Sequence, residues 1–258
     1  MSPTVSFYTT VLRPDEKLWR THESLQQEGV SWEHVVTVAR DFERVFDFLP
    51  KGTENVTALS TPGAGISDGF NAALRQCRGK FLMAANAGDR VLDARPLVAA
   101  LEQDPALAVA YGDIRAEGRI EEGRIVKARP GPLTRWDWIT HAMCFCHGAA
   151  MTRSDFHQRY GFYDPQYLLT MDTALYLSAA YAGARMTHVP QVVAEIEGGG
   201  VTSHPLARTR ENYRAIRQRS PWAIAFPIAC KWLLTGGVAR GCKLPFSVLR
   251  MLMHPNRK

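Results

Sequence analysis

One carboxylate stands directly after an apolar segment, at the end of Asn86-Ala-Gly-Asp89. A carboxylate in this position can hold a hard divalent cation. Magnesium uses only one or two protein carboxylates and neutralises the phosphates of the substrate. Aspartate also caps turns without any functional role, and that is the competing interpretation. From this segment alone, both interpretations of Asp89 stay open.

A second carboxylate, Asp172, lies at the start of a helix predicted over residues 171–183. On a rigid element it could act as a general base and accept a proton from a substrate hydroxyl. The helix dipole also favours an acid in a first turn, so capping is the alternative and, on this segment alone, the favoured one. His147, which follows the apolar residues 143–146, is likewise either a catalytic side chain or a core residue.

A glycine-rich turn, Gly63-Ala-Gly-Ile-Ser-Asp-Gly69, follows a predicted strand and opens a predicted helix. A dinucleotide-binding turn would have its third glycine where Asp68 stands, and it would follow the first strand rather than the third. The free N–H groups of a helix amino terminus can still bind an anion. A turn that serves only backbone geometry is the alternative.

Strand and helix patterns alternate around these residues. Apolar strand patterns occur at residues 4–8, 34–38, 56–60, 81–85 and 106–111. Helical patterns lie between them, and the one that the glycine-rich turn opens covers residues 65–78. This rhythm predicts an α/β fold with a doubly wound, mostly parallel sheet flanked by helices. Ligands bind such sheets outside the carboxyl ends of the strands. The candidate residues at that edge are Thr9, Asp68, Asn86 and Asp89.

The second half of the chain is less regular. Residues 118–131 are predicted as a hairpin or loop, 154–160 and 172–182 as helices, and 186–189 and 192–196 as strands. We therefore divide the chain into an α/β half at 1–113, a second half of the same domain at 114–205, and a basic helical tail at 206–258.

The net charge of +6 is concentrated in this tail. Residues 206–258 contain 11 Lys and Arg and one acid, Glu211, whereas the first 205 residues have a net charge of −4. Such a segment attracts the phosphates of nucleic acid or of an anionic membrane. Residues 222–234 are apolar but contain Pro227 and Lys231, so they are too short and interrupted to span a bilayer. Tryptophans beside arginines are typical of an interfacial helix. We predict contact with an anionic membrane surface and no nucleic-acid partner.

The five cysteines form no regular disulfide framework, and the amino terminus lacks the pattern of a signal peptide. Reduced thiols in the cytoplasm are the expected state. Cys144 and Cys146 beside His147 lack the two spaced ligand pairs that are typical of zinc sites. We expect a cytoplasmic protein, peripheral at the inner face of the membrane.

Several segments, in their order and spacing, resemble the family 2 inverting glycosyltransferases of bacterial polysaccharide synthesis. The resemblance covers roughly residues 4–204. Residues 65–71 resemble the family's GIYDAMN, residues 81–89 its strand ending in LNADD, and residues 111–113 its YGD. Four later segments resemble CHQA-x-F-x-R, YGGFDE, ADYDL and GGVS: residues 146–153, 160–164, 171–175 and 199–203.

The resemblance implies a GT-A-type fold and transfer of a sugar, with inversion, from a nucleotide-sugar to a lipid-linked or polysaccharide acceptor. A UDP-sugar is the expected donor. Asp89 would ligate Mg²⁺ or Mn²⁺ against the donor diphosphate, and Asp172 would deprotonate the acceptor hydroxyl. The resemblance also implies a set of residues that would shape the donor site or line the cleft: Thr9, Asp68, Asn86 and His147.

Two departures from the family pattern support alternatives. The family's acidic segment after the second strand is here residues 38–43, Val-Ala-Arg-Asp-Phe-Glu, within which Asp41 is a candidate substitute. The first acid of the family's doubled pair is here Gly88. A catalytically degenerate nucleotide- or glycan-binding relative is therefore the second hypothesis, and it predicts binding without turnover. A basic nucleic-acid-binding module is the third.

Overall fold

The computed structural model describes residues 2–117, 123–141, 143–197 and 205–220. The strands are β1 (Val5–Val11), β2 (Trp32–Val38), β3 (Val56–Ser60), β4 (Phe81–Ala84), β5 (Arg90–Val91), β6 (Leu107–Glu117), β7 (Ile125–Val126), β8 (Ala150–Arg153) and β9 (Arg185–Glu197). The helices are α1 (Glu16–Ser24), α2 (Ile66–Leu74), α3 (Arg95–Gln103), α4 (Arg135–His141), α5 (Phe156–Tyr160), α6 (Met171–Tyr181) and α7 (Pro205–Arg217). Two 3₁₀ helices cover Phe42–Asp47 and His147–Ala149.

Within the described residues, nine strands form one sheet in the order β3-β2-β1-β4-β8-β6-β9-β5, with β7 paired to β6. The pairs β1–β2, β1–β4, β2–β3 and β6–β9 are parallel. β8 is antiparallel to both of its neighbours, β4 and β6, so those two strands run in the same direction. The predicted α/β fold with a mostly parallel sheet is confirmed.

The second half contains elements that the sequence patterns did not predict or divided wrongly. β8 and α4 were not predicted, and residues 186–189 and 192–196 belong to one strand, β9, rather than two. Pro190 has no N–H to give to the strand ladder. The register of β9 against β6 shifts at this point, between the pairs Tyr111–His188 and Asp113–Val192. A bulge therefore accommodates the proline without ending the strand.

Two predicted elements have different bounds. The helix predicted over residues 65–78 ends at Leu74. β7 pairs antiparallel with β6, so the described part of the predicted excursion at 118–131 folds back onto the sheet. Residues 118–122 of that excursion lie outside the described residues.

The two faces of the sheet bury separate apolar cores because alternate residues of each strand point to opposite sides. Tyr8 of β1 and Leu82 of β4 face a core that α2, α4, α5, α6 and α7 cover. Their neighbours Phe7 and Phe81 face a second core that α3 covers. The helices on the first face include those that carry the residues of the candidate site.

Helix α7, the described part of the predicted basic tail, packs into the first of these cores. Tyr213 and Ile216 are buried there with α6. The guanidinium of Arg214 lies 5.4 Å from the ring centroid of Tyr167. No helix in the described part of the chain is long and apolar enough to cross a membrane. The rest of the tail, residues 221–258, lies outside the described residues.

A buried hydrogen-bond chain links β1, β2 and α1. The Thr9 hydroxyl donates to the Ala85 carbonyl, so it accepts from Nε2 of His34 at 2.9 Å. The His34 ring stacks on His22, with the two Nδ1 atoms 3.0 Å apart. Since Nε2 of His34 carries the proton, its Nδ1 accepts and His22 donates. The His34 ring is neutral in this arrangement, because its Nδ1 accepts.

We expect the protein to lose stability as the pH falls below about 6.5. Burial, with His22 adding, lowers the pKa of His34 to about 3, whereas a histidine in an unfolded chain titrates near about 6.5. Between these values only the unfolded chain binds the proton. His34 therefore contributes a slope of up to about 1.4 kcal/mol per pH unit to the free energy of unfolding. Urea unfolding at pH 7.5 and pH 5 measures this loss.

Two variants test the assignment to His34. His34→Gln should show a smaller loss of stability between pH 7.5 and pH 5 than the wild type. His141→Gln, a change at an exposed position, should show the same loss as the wild type. If all three proteins lost equal stability, the acid sensitivity would come from other groups.

Candidate active site

The sheet brings several predicted site residues to one edge. Asp89 follows β4, whose carboxyl end lies there with those of β1 and β6. His147 begins the 3₁₀ helix that precedes β8, and the apolar residues 143–146 before it do not form a strand. Because β8 runs antiparallel to β4 and β6, its amino end lies where theirs end. The antiparallel strand thus carries His147 to the edge where Asp89 lies.

The Asp89 carboxylate is buried and held at both oxygens. Oδ2 accepts from Nδ2 of Asn86 at 2.9 Å, and Oδ1 accepts from the N–H of Glu197 at 3.0 Å. Burial raises the pKa of Asp89 to about 6, and the hydrogen bond from Asn86 opposes that rise. At pH 7 the group is a buried carboxylate, which favours a bound cation.

The loop that carries Asp89 is fixed to helix α1. The Thr21 hydroxyl donates to the Asp89 carbonyl at 2.7 Å and accepts from the N–H of Gly88 at 3.0 Å. The N–H of Gly88 also approaches the Lys17 carbonyl at 3.2 Å. The position of Asp89 is therefore set by the helix after β1 as well as by the strand before it.

His147 lies in a buried group of aromatic and polar side chains. Its Nε2 makes a short hydrogen bond with the Tyr163 hydroxyl, which lies 2.8 Å from the Tyr8 hydroxyl. Phe70 packs edge-on against the His147 ring at 5.7 Å. Asn71 holds the backbone of Tyr163 through its amide, donating at 2.7 Å and accepting at 3.0 Å. Three of the segments that resemble family motifs meet in this group.

Asp172 lies in the first turn of α6 but is not the capping residue, which is Thr170. Its Oδ1 accepts from the N–H of Thr173 at 2.7 Å. The turn before it is held from α7, because the Glu211 carboxylate accepts from the N–H groups of Leu169 at 2.8 Å and Thr170 at 3.1 Å. A residue of the predicted tail therefore fixes the segment that leads to Asp172.

Asp89 and Asp172 both lie near the segment 146–148. Burial raises the pKa of the Cys146 thiol to about 12, and the charges of Asp89 and Asp172 both add to that rise. A Cβ placed on Gly148 would lie 3.5 Å from Oδ2 of Asp89. Burial lowers the pKa of His147, against the opposing charge of Asp172. Asn86, Asp89, His147 and Asp172 thus form one group.

Thr9 and Asp68 lie apart from this group. The Thr9 side chain is fully buried inside the sheet, where its hydroxyl is used by Ala85 and His34, so it has no surface for a ligand. Asp68 is exposed in the first turn of α2. That turn does contact α6, since the Ser67 hydroxyl donates to the Met171 sulfur at 3.1 Å.

A small cleft of about 60 Å³ lies between the carboxyl ends of β1, β2 and β3 and the start of α2. Its lining consists of small and apolar residues: Thr10, Val11, Leu12, Ala39, Thr61, Ala64, Gly65, Ile66 and Gly69. A Cβ on Gly69 would lie 2.2 Å from Oγ1 of Thr10, so only glycine lets α2 pack this closely. Asp41, the candidate nucleotide contact, has a left-handed φ of 56° and pairs with Arg13 at 3.1 Å.

Sequence reasoning missed the roles of Thr21, Glu197 and Glu211. Thr21 and Glu197 carried no signal, because their contacts with Asp89 and its loop join segments far apart in the chain. Glu211 did carry one, since it is the single acid of an otherwise basic tail. In the structure its carboxylate accepts from backbone N–H groups at the start of α6.

Two kinds of sequence comparison gave no match: no protein-family model matches the chain, and no curated protein does. Solved structures do resemble it. S. aureus TarS 1–349 in complex with UDP has a TM-score of 0.66 at 15% identity, with 95% of this chain and 76% of that chain covered. The corresponding complex with UDP-GlcNAc has a TM-score of 0.64 at 16% identity, with 95% and 77% covered.

A second protein gives the same result. The mannosyltransferase PcManGT from Pyrobaculum calidifontis, in complex with GDP-Man and Mn²⁺, has a TM-score of 0.60 at 15% identity, with 99% of this chain and 80% of that chain covered. At such identities the likeness concerns the fold. The chain has the curled, mostly parallel sheet of the GT-A fold.

Proposed function

We propose that this protein is a glycosyltransferase that moves a sugar from a nucleotide-sugar, a UDP-sugar in the first instance, to a glycan or lipid-linked acceptor. The grouping of Asn86, Asp89, His147 and Asp172 at the ligand-binding edge of the sheet carries the proposal. The nucleotides and nucleotide-sugars bound by TarS and PcManGT support this donor class.

In the proposed reaction, Asp172 takes the proton of an acceptor hydroxyl. The acceptor oxygen forms a bond to the anomeric carbon of the sugar while the bond from that carbon to the diphosphate oxygen breaks. The nucleoside diphosphate leaves with the electron pair. Attack from the face opposite the leaving group inverts the anomeric carbon. A positioned base accelerates such a step by roughly 10²- to 10⁴-fold.

The chemistry of the Asp89 site fits a hard divalent cation. Its donor atoms are carboxylate oxygens, the ligands that Mg²⁺ and Mn²⁺ prefer. Among the described residues, no three His, Cys, Asp or Glu side chains form a complete metal-binding group. Mg²⁺ binding through one or two carboxylates plus substrate phosphates matches that composition. When bound, the cation would neutralise charge on the departing diphosphate.

Thermal melts with a panel of UDP, GDP, CMP and dTDP sugars, each with Mn²⁺ or with EDTA, test which nucleotide-sugar the protein binds. A ligand at about 100 times its Kd stabilises a protein by roughly 2.7 kcal/mol, a readable rise in Tm. We expect one nucleotide class to raise the Tm and EDTA to reduce that rise. No response to any donor under either condition would contradict the proposed function.

We also propose that the basic tail holds the protein against an anionic membrane. The charge of residues 206–258 supports this, since each Lys or Arg near such a surface contributes on the order of 1 kcal/mol. Cosedimentation with phosphatidylserine vesicles should exceed that with neutral vesicles and decline with salt. Equal recovery with both vesicles, or retention of a polynucleotide instead, would contradict a membrane role.

A further inference from the structure

Position 88 is a glycine, and the space beside it is filled by the side chain of Glu197, which comes from a distant strand. A Cβ placed on Gly88, whose φ is +100°, would lie 2.2 Å from Oε2 of Glu197 and 3.3 Å from its Cδ. The carboxylate of Glu197, at the end of β9, therefore occupies the volume in which a side chain at position 88 would begin. The positive φ favours glycine at this position, and the flexible Glu197 side chain takes up the space that a side chain there would need.

Glu197 is fixed beside Asp89 by the backbone as well. Its N–H donates to Oδ1 of Asp89 at 3.0 Å, although 108 residues separate the two. Asp89, in the loop after β4, and Glu197, at the end of β9, thus bring two carboxylates close together. Carboxylates this close repel each other when both are ionised, so the pair favours a cation nearby.

Lys17 of α1 supplies a cation in the described structure. Its Nζ lies 2.8 Å from both Oε1 and Oε2 of Glu197, in the fork between the two oxygens. This is the side of the carboxylate at which a metal would bind in bidentate fashion. The Lys17 side chain is 55% exposed, and exposed ion pairs contribute little to stability. The lysine can therefore be displaced easily.

We propose that Glu197 is the second carboxylate of the cation site at Asp89, and that Lys17 is a resident counter-cation that a divalent cation displaces. The proposal rests on the proposed function only for the donor diphosphate, which would complete the coordination. Displaced Lys17 stays next to Gly88 and can then face a phosphate oxygen as a point charge.

Direct measurement of Mn²⁺ binding to the full chain tests this without any transfer reaction. Electron paramagnetic resonance of free Mn²⁺ gives the Kd, with the protein alone and with UDP added. We expect Glu197→Gln to weaken Mn²⁺ binding by roughly 10- to 100-fold. We expect Glu197→Asp to weaken it less, and Lys17→Met to tighten it because the competing ammonium is gone.

Glu117→Gln is the matched control. Glu117 ends β6 and pairs with Arg20, and its change to glutamine removes the same charge. If only the loss of a metal ligand weakens binding strongly, this variant should bind Mn²⁺ within about twofold of the wild type. Thermal melts confirm that each variant is folded. Lys17→Met changes an exposed side chain, so it provides a reading even if Glu197→Gln does not fold.

Three results would overturn the inference: no Mn²⁺ binding by the wild type, the same affinity for Glu197→Gln and Glu117→Gln, or weaker binding by Lys17→Met. If one of these occurs while a nucleotide-sugar still stabilises the protein and sugar is transferred, the proposed function stands alone. If Mn²⁺ binding depends on Glu197 but no nucleotide-sugar binds, the cation site stands and the proposed function fails.

Discussion

Asp172→Asn should reduce sugar transfer by about 10²- to 10⁴-fold while the protein still folds and binds its donor. Asparagine has nearly the same shape, and its side-chain oxygen can still accept from the N–H of Thr173, the bond that Asp172 makes at 2.7 Å. What it lacks is the ability to take a proton. The loss should therefore appear in kcat, with little change in the thermal shift that the donor produces.

Asp155→Asn is a suitable control for this experiment. Asp155 precedes α5, is exposed and pairs with Arg159, so the same chemical change occurs away from the candidate site. Transfer by this variant should match the wild type. If Asp172→Asn also transferred sugar to a true acceptor at the wild-type rate, the carboxylate would have only the structural role that first-turn acids have in many helices.

The sequence predicts the fold well because its first half is locally regular. The five strands predicted up to residue 111 are present, and each of the first three is followed directly by a helix or a 3₁₀ helix. The elements that were missed depend on tertiary context. β8 is only four residues long and is stabilised by β4 and β6 on either side, which no local pattern reports.

The candidate site likewise has residues that local motifs indicate and residues that only the tertiary structure reveals. Asp89 and Asp172 could be named from their motifs, and their proximity around Cys146 is a result of the fold. Glu197 could not be predicted, because its contact with Asp89 joins residues that are 108 positions apart in the chain. Thr9 was expected directly after the first strand, but β1 continues to Val11, and within it the Thr9 hydroxyl is turned into the sheet and donates to the Ala85 carbonyl.

Glu211 shows why residues with no chemical role can still control a site. Its carboxylate holds the N–H groups of Leu169 and Thr170, directly before Asp172, and also that of Leu168 at 3.0 Å. A base must be held within a fraction of an ångström to work efficiently. The helix that opens the basic tail therefore contributes to the order of the candidate site through packing and through this one acid.

Asp89→Asn should separate stability from function. We expect transfer to fall by about 10²- to 10³-fold, the loss typical when one electrostatic stabiliser of a leaving group is removed. Mn²⁺ should no longer strengthen donor binding. In EDTA, by contrast, we expect the variant to be more stable than the wild type, because burial raises the pKa of Asp89 to about 6. An acid whose pKa is raised on folding destabilises the folded state once it ionises.

The stability cost of ionised Asp89 has a defined sign and a defined pH range. As the pH rises from about 3.8, the unfolded carboxyl loses its proton while the folded one keeps it, and the cost grows until the pH passes about 6. The full cost is then roughly 3 kcal/mol, at about 1.4 kcal/mol for each unit of pKa shift. Asparagine does not ionise, so the variant should gain stability relative to the wild type across this range and hold that gain at pH 8.

Urea unfolding of the wild type and Asp89→Asn in EDTA, from pH 4 to pH 8, measures the difference directly and cancels the opposing effect of the buried histidines. The amide can keep its bond with Asn86 if that side chain turns over, so few contacts are lost. A variant that was less stable at pH 8 and still transferred sugar would show that the ionised carboxylate stabilises the turn rather than binding the donor. A variant that was more stable but inactive would show that Asp89 is kept for binding the donor at a cost to the fold.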